Sequence, residues 1–222
     1  MTVSKISGLI FFLLVGAKIS AQTTVINLLD SGTKTSIRGL SVVSDKVIWA
    51  SGSNGSVARS TDGGKTFQWM QVTGYEKRDF RDIEAFDKST AIIMAVADPG
   101  IILKTKDGGQ TWYKVFEDTA KGMFLDAMHF YKKTGIVVGD PIHGKIYLRY
   151  TDDAGESWTE KLAAAPFVTE GEACFASSGS NILLRKDGGY LLVTGGIKSN
   201  LYADNSTLPL DIIQGRESTG AN

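Results

Sequence analysis

The apolar residues of this chain fall in short alternating runs separated by Gly, Asn, Asp and Ser. Ile37–Val43, Val47–Ala50, Val57–Ser60 and Phe67–Val72 form a first set. Phe80–Phe86, Ala91–Ala97, Ile101–Thr105 and Trp112–Phe116 form a second; Phe124–Phe130, Gly135–Gly139, Lys145–Tyr150 and Trp158–Leu162 form a third. Runs this short, rich in β-branched and aromatic residues and bounded by turn formers, predict strands rather than helices. Four strands recur in each set, so the chain reads as all-β and repetitive. Thr23–Leu29 predicts a lone strand ahead of the first set. A fourth set is less regular, with strands predicted at Glu172–Ala176, Tyr190–Thr194 and Asn200–Ala203.

Three octapeptides fix the period. They are Ser60-Thr61-Asp62-Gly63-Gly64-Lys65-Thr66-Phe67, Thr105-Lys106-Asp107-Gly108-Gly109-Gln110-Thr111-Trp112 and Thr151-Asp152-Asp153-Ala154-Gly155-Glu156-Ser157-Trp158, and their aspartates recur every 45–46 residues. Self-similarity at that spacing marks a propeller blade or a similar repeat unit. The shared pattern is the Asp box. Its carboxylate accepts backbone N–H groups across a tight turn, its glycines supply positive φ, and its aromatic ring packs back between sheets. Ser60, Asp62, Gly64, Asp107, Gly109, Trp112, Asp153, Gly155 and Trp158 are therefore read as structural. Each box sits in the turn between the third and fourth strands of a set, which is the blade plan of a β-propeller. The blades run over 36–72, 79–116, 123–162 and 170–214, with the start of a fifth at 216–222. Asp204 lies 51 residues beyond Asp153, so the fourth blade is expected to carry an insertion, placed at the turn around Arg185–Gly189.

Composition adds compartment and exclusions. Lys5 precedes an apolar run from Ile6 to Ala17, and Ile19-Ser20-Ala21 offers a small residue before Gln22. This predicts a signal peptide over 1–21, an exported product over 22–222, and no membrane span in the mature chain. Basic and acidic residues balance at 24 each, so no global field favours nucleic acid. One cysteine, Cys174, and two histidines, His129 and His143, build neither a disulfide nor a metal cluster, and no cofactor or metal is expected. His129 sits in an apolar strand and reads as packed.

Ser36-Ile37-Arg38-Gly39-Leu40-Ser41-Val42-Val43, the boxes, Gly139-Asp140-Pro141, Gly171-Glu172-Ala173-Cys174-Phe175 and Glu217-Ser218-Thr219-Gly220-Ala221-Asn222 resemble the Ycf48/Hcf136-like photosystem II stability and assembly factors and their non-photosynthetic bacterial relatives. The resemblance implies a seven-bladed propeller, of which this chain holds about four blades and so reads as a fragment. It also implies an assembly scaffold that binds a protein partner. Bacterial relatives are often labelled oxidoreductases, but this chain has no Gly-x-Gly-x-x-Gly after a strand and no haem or iron–sulfur ligand set.

Aligning the repeats points to a binding set at the central face. The innermost strands carry Arg38, then Arg81 and Asp82, then Asp126, then Glu172; loops at the face opposite the boxes carry Asp98, Asp140 and His143. Polar groups converging on one axis form the default site. The plainer reading is that these charges pair with one another and line a wet channel. Two rival functions stay open. A sialidase-like or other glycoside hydrolase with bound carbohydrate needs two carboxyl groups at a set separation, and Asp82, Asp126 and Glu172 supply carboxylates. A sortilin-like ligand-binding receptor is the other.

Overall fold

The structure is a computed structural model. It describes residue 28, residues 34–96, 98–160, 165–175 and 179–204, and residues 206–210. The leader, all of the lone strand but Leu28, and the expected fifth blade lie outside the described residues.

Strands β1 (Ile37–Val42), β2 (Ile48–Gly52), β3 (Ser56–Ser60) and β4 (Gln68–Gln71) form one antiparallel meander. β5 (Phe80–Ala85), β6 (Ala91–Ala95), β7 (Gly100–Thr105) and β8 (Tyr113–Asp118) form a second. β9 (Leu125–Tyr131), β10 (Thr134–Ile142) and β11 (Lys145–Thr151) form a third. Of the expected outer strand Trp158–Leu162, the described residues show one bridge, Thr159 to Tyr150, and the chain meets β11 again where Phe167 bridges Lys145. Pro166 has no N–H to donate; its carbonyl accepts from Ile146, so that edge is held at points and not along a ladder.

The fourth blade departs from expectation in two places. It contains β12 (Glu172–Ala173), β13 (Ile182–Leu184), β14 (Tyr190–Val193), β15 (Gly195–Gly196), β16 (Asn200–Ala203) and β17 (Ser206–Pro209). β12 pairs with β15, and β13 with β14. The innermost strand is thus two pieces laid against one continuing partner, with the extra residues of the sequence falling between Ala173 and Ile182. The expected insertion site, Arg185–Gly189, is a tight turn closed by Arg185 N–H to the Gly189 carbonyl at 2.7 Å. At the other end β16 and β17 join through a two-residue turn in which Asp204 has a φ of 51°. Asp204 there accepts from the Tyr190 N–H and from the Arg185 guanidinium, both at 2.9 Å, so it holds the outer end of this blade without a box.

The central strands of the second blade, β6 and β7, are buried on both faces because that blade is packed between neighbours. β6 shows how alternation divides the labour. Ile93 faces a core shared with the first blade, through Trp49, Val57, Phe80 and Leu103. Ile92 and Met94 face a core shared with the third, through Leu125, Met128 and Val137. A third core joins the third and fourth blades through Ile136, Leu148, Leu184 and Leu192. Each buried Ile, Leu or Met contributes about 1.5–3 kcal/mol by leaving water.

The three boxes share one geometry. Asp62 accepts from the Ser60 hydroxyl, the Thr66 N–H and the Thr66 hydroxyl at 2.8, 3.0 and 2.7 Å. Asp107 does the same with Thr105 and Thr111, and Asp153 with Thr151 and Ser157. The hydroxyls of Ser60, Thr105 and Thr151 in turn accept from Gly64, Gly109 and Gly155 N–H. Gly109 has a φ of 88°, and a Cβ there would meet Met70 and Trp49 of the preceding blade, so glycine is required on both counts. Trp112 and Trp158 are half-buried; their rings meet Trp49 and Phe130 edge-on.

Candidate functional site

The inner strands β1, β5 and β9 each contain one bulge at the same place in the blade. Pairing slips between Ile37 and Gly39, between Phe80 and Asp82, and between Leu125 and Ala127. The extra residues are Arg38, Arg81 and Asp126. Bulges re-aim side chains, and these three occupy equivalent positions around the axis. In the fourth blade the one-residue bulge has grown into the segment between Ala173 and Ile182.

A cleft of about 470 Å³ opens along these strands, lined by Arg38, Gly39 and Leu40 of β1, Asp82, Ile83 and Glu84 of β5, Met128 and His129 of β9, and Gly179, Ser180, Ile182 and Leu183. All four blades contribute to it. A second cleft, about 610 Å³, is lined by Asp140, Pro141 and Gly144 near the β10–β11 turn and by Val168–Ala173. The eight predicted site residues therefore do not form one constellation. Arg38 and Asp82 share the central cleft; Asp140 and Glu172 share the second. His143 is exposed at the β10–β11 turn with a φ of 52°, and Asp98 is exposed in the turn before β7. Neither lines either of these two clefts.

The carboxylates differ in what they already hold. Asp82 accepts the Ile83 N–H with one oxygen and the Met128 N–H with the other, both at 2.8 Å. Burial outweighs these bonds and raises its pKa to about 7. Glu84 accepts from Phe130 N–H; burial, with the neighbouring Asp82, raises it to about 8. Glu172 accepts from Thr194, Asn200 (2.9 Å), Tyr202 (2.9 Å) and the Thr169 N–H (3.1 Å). Burial by itself would raise Glu172; the hydrogen bonds outweigh it and hold the carboxyl below its usual range. Glu172 opens β12, the first piece of the fourth blade's inner strand.

Asp126 is 1% exposed, and neither carboxylate oxygen has a hydrogen-bond partner among the described residues. Burial and the charge of Asp140 raise it to about 8, against the opposing pull of Arg81. Arg81 itself lies 3.8 Å from Asp79. Arg38 is exposed and has no ion pair among the described residues. Asp140 accepts the Cys174 N–H at 3.0 Å, which pins the start of the enlarged bulge; Cys174 is buried, and burial pushes its thiol well up.

Repeat alignment for charge missed a set of inter-blade ties. The Ser41 hydroxyl accepts the Ala85 N–H at 3.0 Å, joining the first blade to the second. Glu84 accepts from Phe130, joining second to third. His129 Nδ1 accepts the Leu184 N–H at 3.1 Å, joining third to fourth. By register these acceptors are equivalent, and so are their donors. The signal in the sequence was a polar residue three positions after the bulged one in each inner strand: Ser41 after Arg38, Glu84 after Arg81 and His129 after Asp126.

No family model matches the chain, and no curated protein matches it. Solved structures do. The structure of YCF48 bound to a D1 peptide aligns with a TM-score of 0.56 and 19% identity over 84% of this chain. YCF48 from Cyanidioschyzon merolae aligns at 0.60 and 14% over 85%, and an ancestral GH74 enzyme at 0.58 and 14% over 86%. The fold is a β-propeller. The propeller described here spans 56% and 60% of the two YCF48 chains and 27% of the GH74 enzyme, and at these identities the likeness is one of fold. No group of metal-ligating side chains occurs among the described residues, and no described helix is long and apolar enough to cross a membrane.

Proposed function

We propose that this chain is an exported propeller scaffold that binds a protein partner in the central cleft. The observation that carries the reading is the contrast within that cleft. Arg38 is exposed in that cleft and has no ion pair among the described residues, whereas Asp82, Glu84 and His129 are engaged by the backbone of the next blade. A guanidinium left open offers a fixed fork of donors to a carboxylate on a partner. The solved YCF48 complex with a D1 peptide supports a peptide as the class of partner. A glycoside hydrolase needs two carboxyl groups free to reach one substrate. The three predicted carboxylates are divided between two clefts and a buried site, which favours binding over hydrolysis.

The test uses the full chain as bait on native envelope extract, beside a screen of aryl glycosides. Arg38→Ala is expected to lower partner recovery several-fold, and Arg38→Lys to lower it less. Equal recovery of the same partners by Arg38→Ala would overturn the choice of face. Glycoside turnover that vanishes in Asp82→Asn, Asp126→Asn or Glu172→Gln would replace the scaffold reading with an enzyme.

A further inference from the structure

Three seams join the four blades at the axis, and each is closed by a side-chain acceptor on a backbone N–H of the next inner strand. The acceptor at the first seam, Ser41, does not titrate in water's working range. His129, at the last, titrates within it. Its Nδ1 accepts the Leu184 N–H, so Nδ1 is unprotonated and the ring carries its proton on Nε2. Adding a proton to Nδ1 sets two donors against each other and removes the tie.

We propose that the His129–Leu184 contact is an acid-released latch: protonation of His129 frees the inner strand of the fourth blade from that of the third and opens the central cleft along that seam. The latch stands whichever partner the cleft takes.

The surroundings favour release and not a compensating ion pair. The charged and titratable groups lining the cleft with His129 are Arg38, Asp82 and Glu84; β13 and the segment before it contribute Gly179, Ser180, Ile182 and Leu183, none of which titrates. Both carboxyls are raised toward neutrality by burial, and Arg38 is a like charge. With Asp82 and Glu84 neutral, an imidazolium here has no anion among the described residues of the cleft to hold it in place. Burial lowers the His129 pKa below its ordinary 6.5, so the latch stays shut at neutral pH and opens on the acid side. β13 is otherwise held within its own blade, by its ladder to β14 and by Asn181, whose carbonyl accepts the Val193 N–H at 2.9 Å and whose side chain donates to the Cys174 carbonyl at 3.0 Å, so release of the latch loosens the seam and not the blade.

Amide hydrogen exchange on the full chain tests this, with rates corrected for the intrinsic pH dependence. Between about pH 7.5 and about pH 4.5, Leu184 protection is expected to fall roughly tenfold or more while Ala85, tied by non-titrating Ser41, keeps its protection. The fall should track the His129 ring resonances. In His129→Gln, whose amide oxygen accepts without titrating, Leu184 should stay protected across the range. Leu184 protection that persists through the measured His129 titration would overturn the latch. So would an equal loss at Leu184 and Ala85, or the same loss in His129→Gln.

Discussion

At the residue scale, Asp126 and Asp107 show opposite outcomes for one side chain. Asp107 caps an exposed turn, and the Thr111 hydroxyl and N–H lower its pKa to about 2. Its contribution is present above the unfolded value near 4 and is lost as pH falls through the folded value. Asp107→Ala should therefore lower Tm by roughly 2–4 °C at neutral pH, with a smaller loss near about pH 2. Asp126 is buried with no hydrogen-bond partner among the described residues and titrates near 8. A raised carboxyl favours the fold below its unfolded value, and that stability is lost as pH climbs through the folded one. Asp126→Asn should be close to neutral at about pH 5 and more stable than the parent by about 1–3 kcal/mol at about pH 9. Denaturant melts at the two pH values check the sign; a variant less stable at alkaline pH would contradict it.

At the element scale, the inter-blade seam governs stability. Trp49 on β2 is fully buried, donates from Nε1 to the Asp87 carbonyl of the second blade at 3.1 Å, and meets Trp112 edge-on at 6.5 Å. Trp112 is only half-buried, with its Nε1–H given to Gly109 of its own turn. Trp49→Ala should cost about 3–5 kcal/mol and Trp112→Ala distinctly less. Urea melts of the two variants, compared by midpoint, give the ranking. The boxes were visible in the sequence because each is a local pattern of eight residues. The inter-blade acceptors were not read from it, since a tie between Ser41 and Ala85 or between His129 and Leu184 depends on register between strands far apart in the chain.

At the scale of the whole molecule, the first and fourth blades present open flanks. Ile37, Leu40 and Val42 are more than half exposed on β1, as are Ile197 and Leu208 on the fourth blade. Apolar strand faces and unpaired inner edges favour association with other chains. Light scattering should show self-association rising with concentration, reduced in Leu40→Lys; a sharply monomeric parent at high concentration would argue that these flanks are covered.

The sequence determined the repeat, the strand-rich blades and the turns that close them, because period-2 alternation and the box chemistry act over a few residues. It also placed Arg38, Arg81 and Asp126 at corresponding points of successive inner strands. Tertiary structure decided which of those groups remain open. Asp82 and Glu172 carry the same carboxylate in the sequence as a binding residue would, yet the folded chain surrounds each with donors. Arg38 is left exposed, and Asp126 is buried without a donor among the described residues. It also moved the extra residues of the fourth blade from the predicted turn into the inner strand. The physical reason is distance along the chain: Asp82 takes its donor Met128 from the next blade, 46 residues on, and Glu172 takes Thr194, Asn200 and Tyr202 from 22 to 30 residues on. No local pattern encodes what a neighbouring blade will offer.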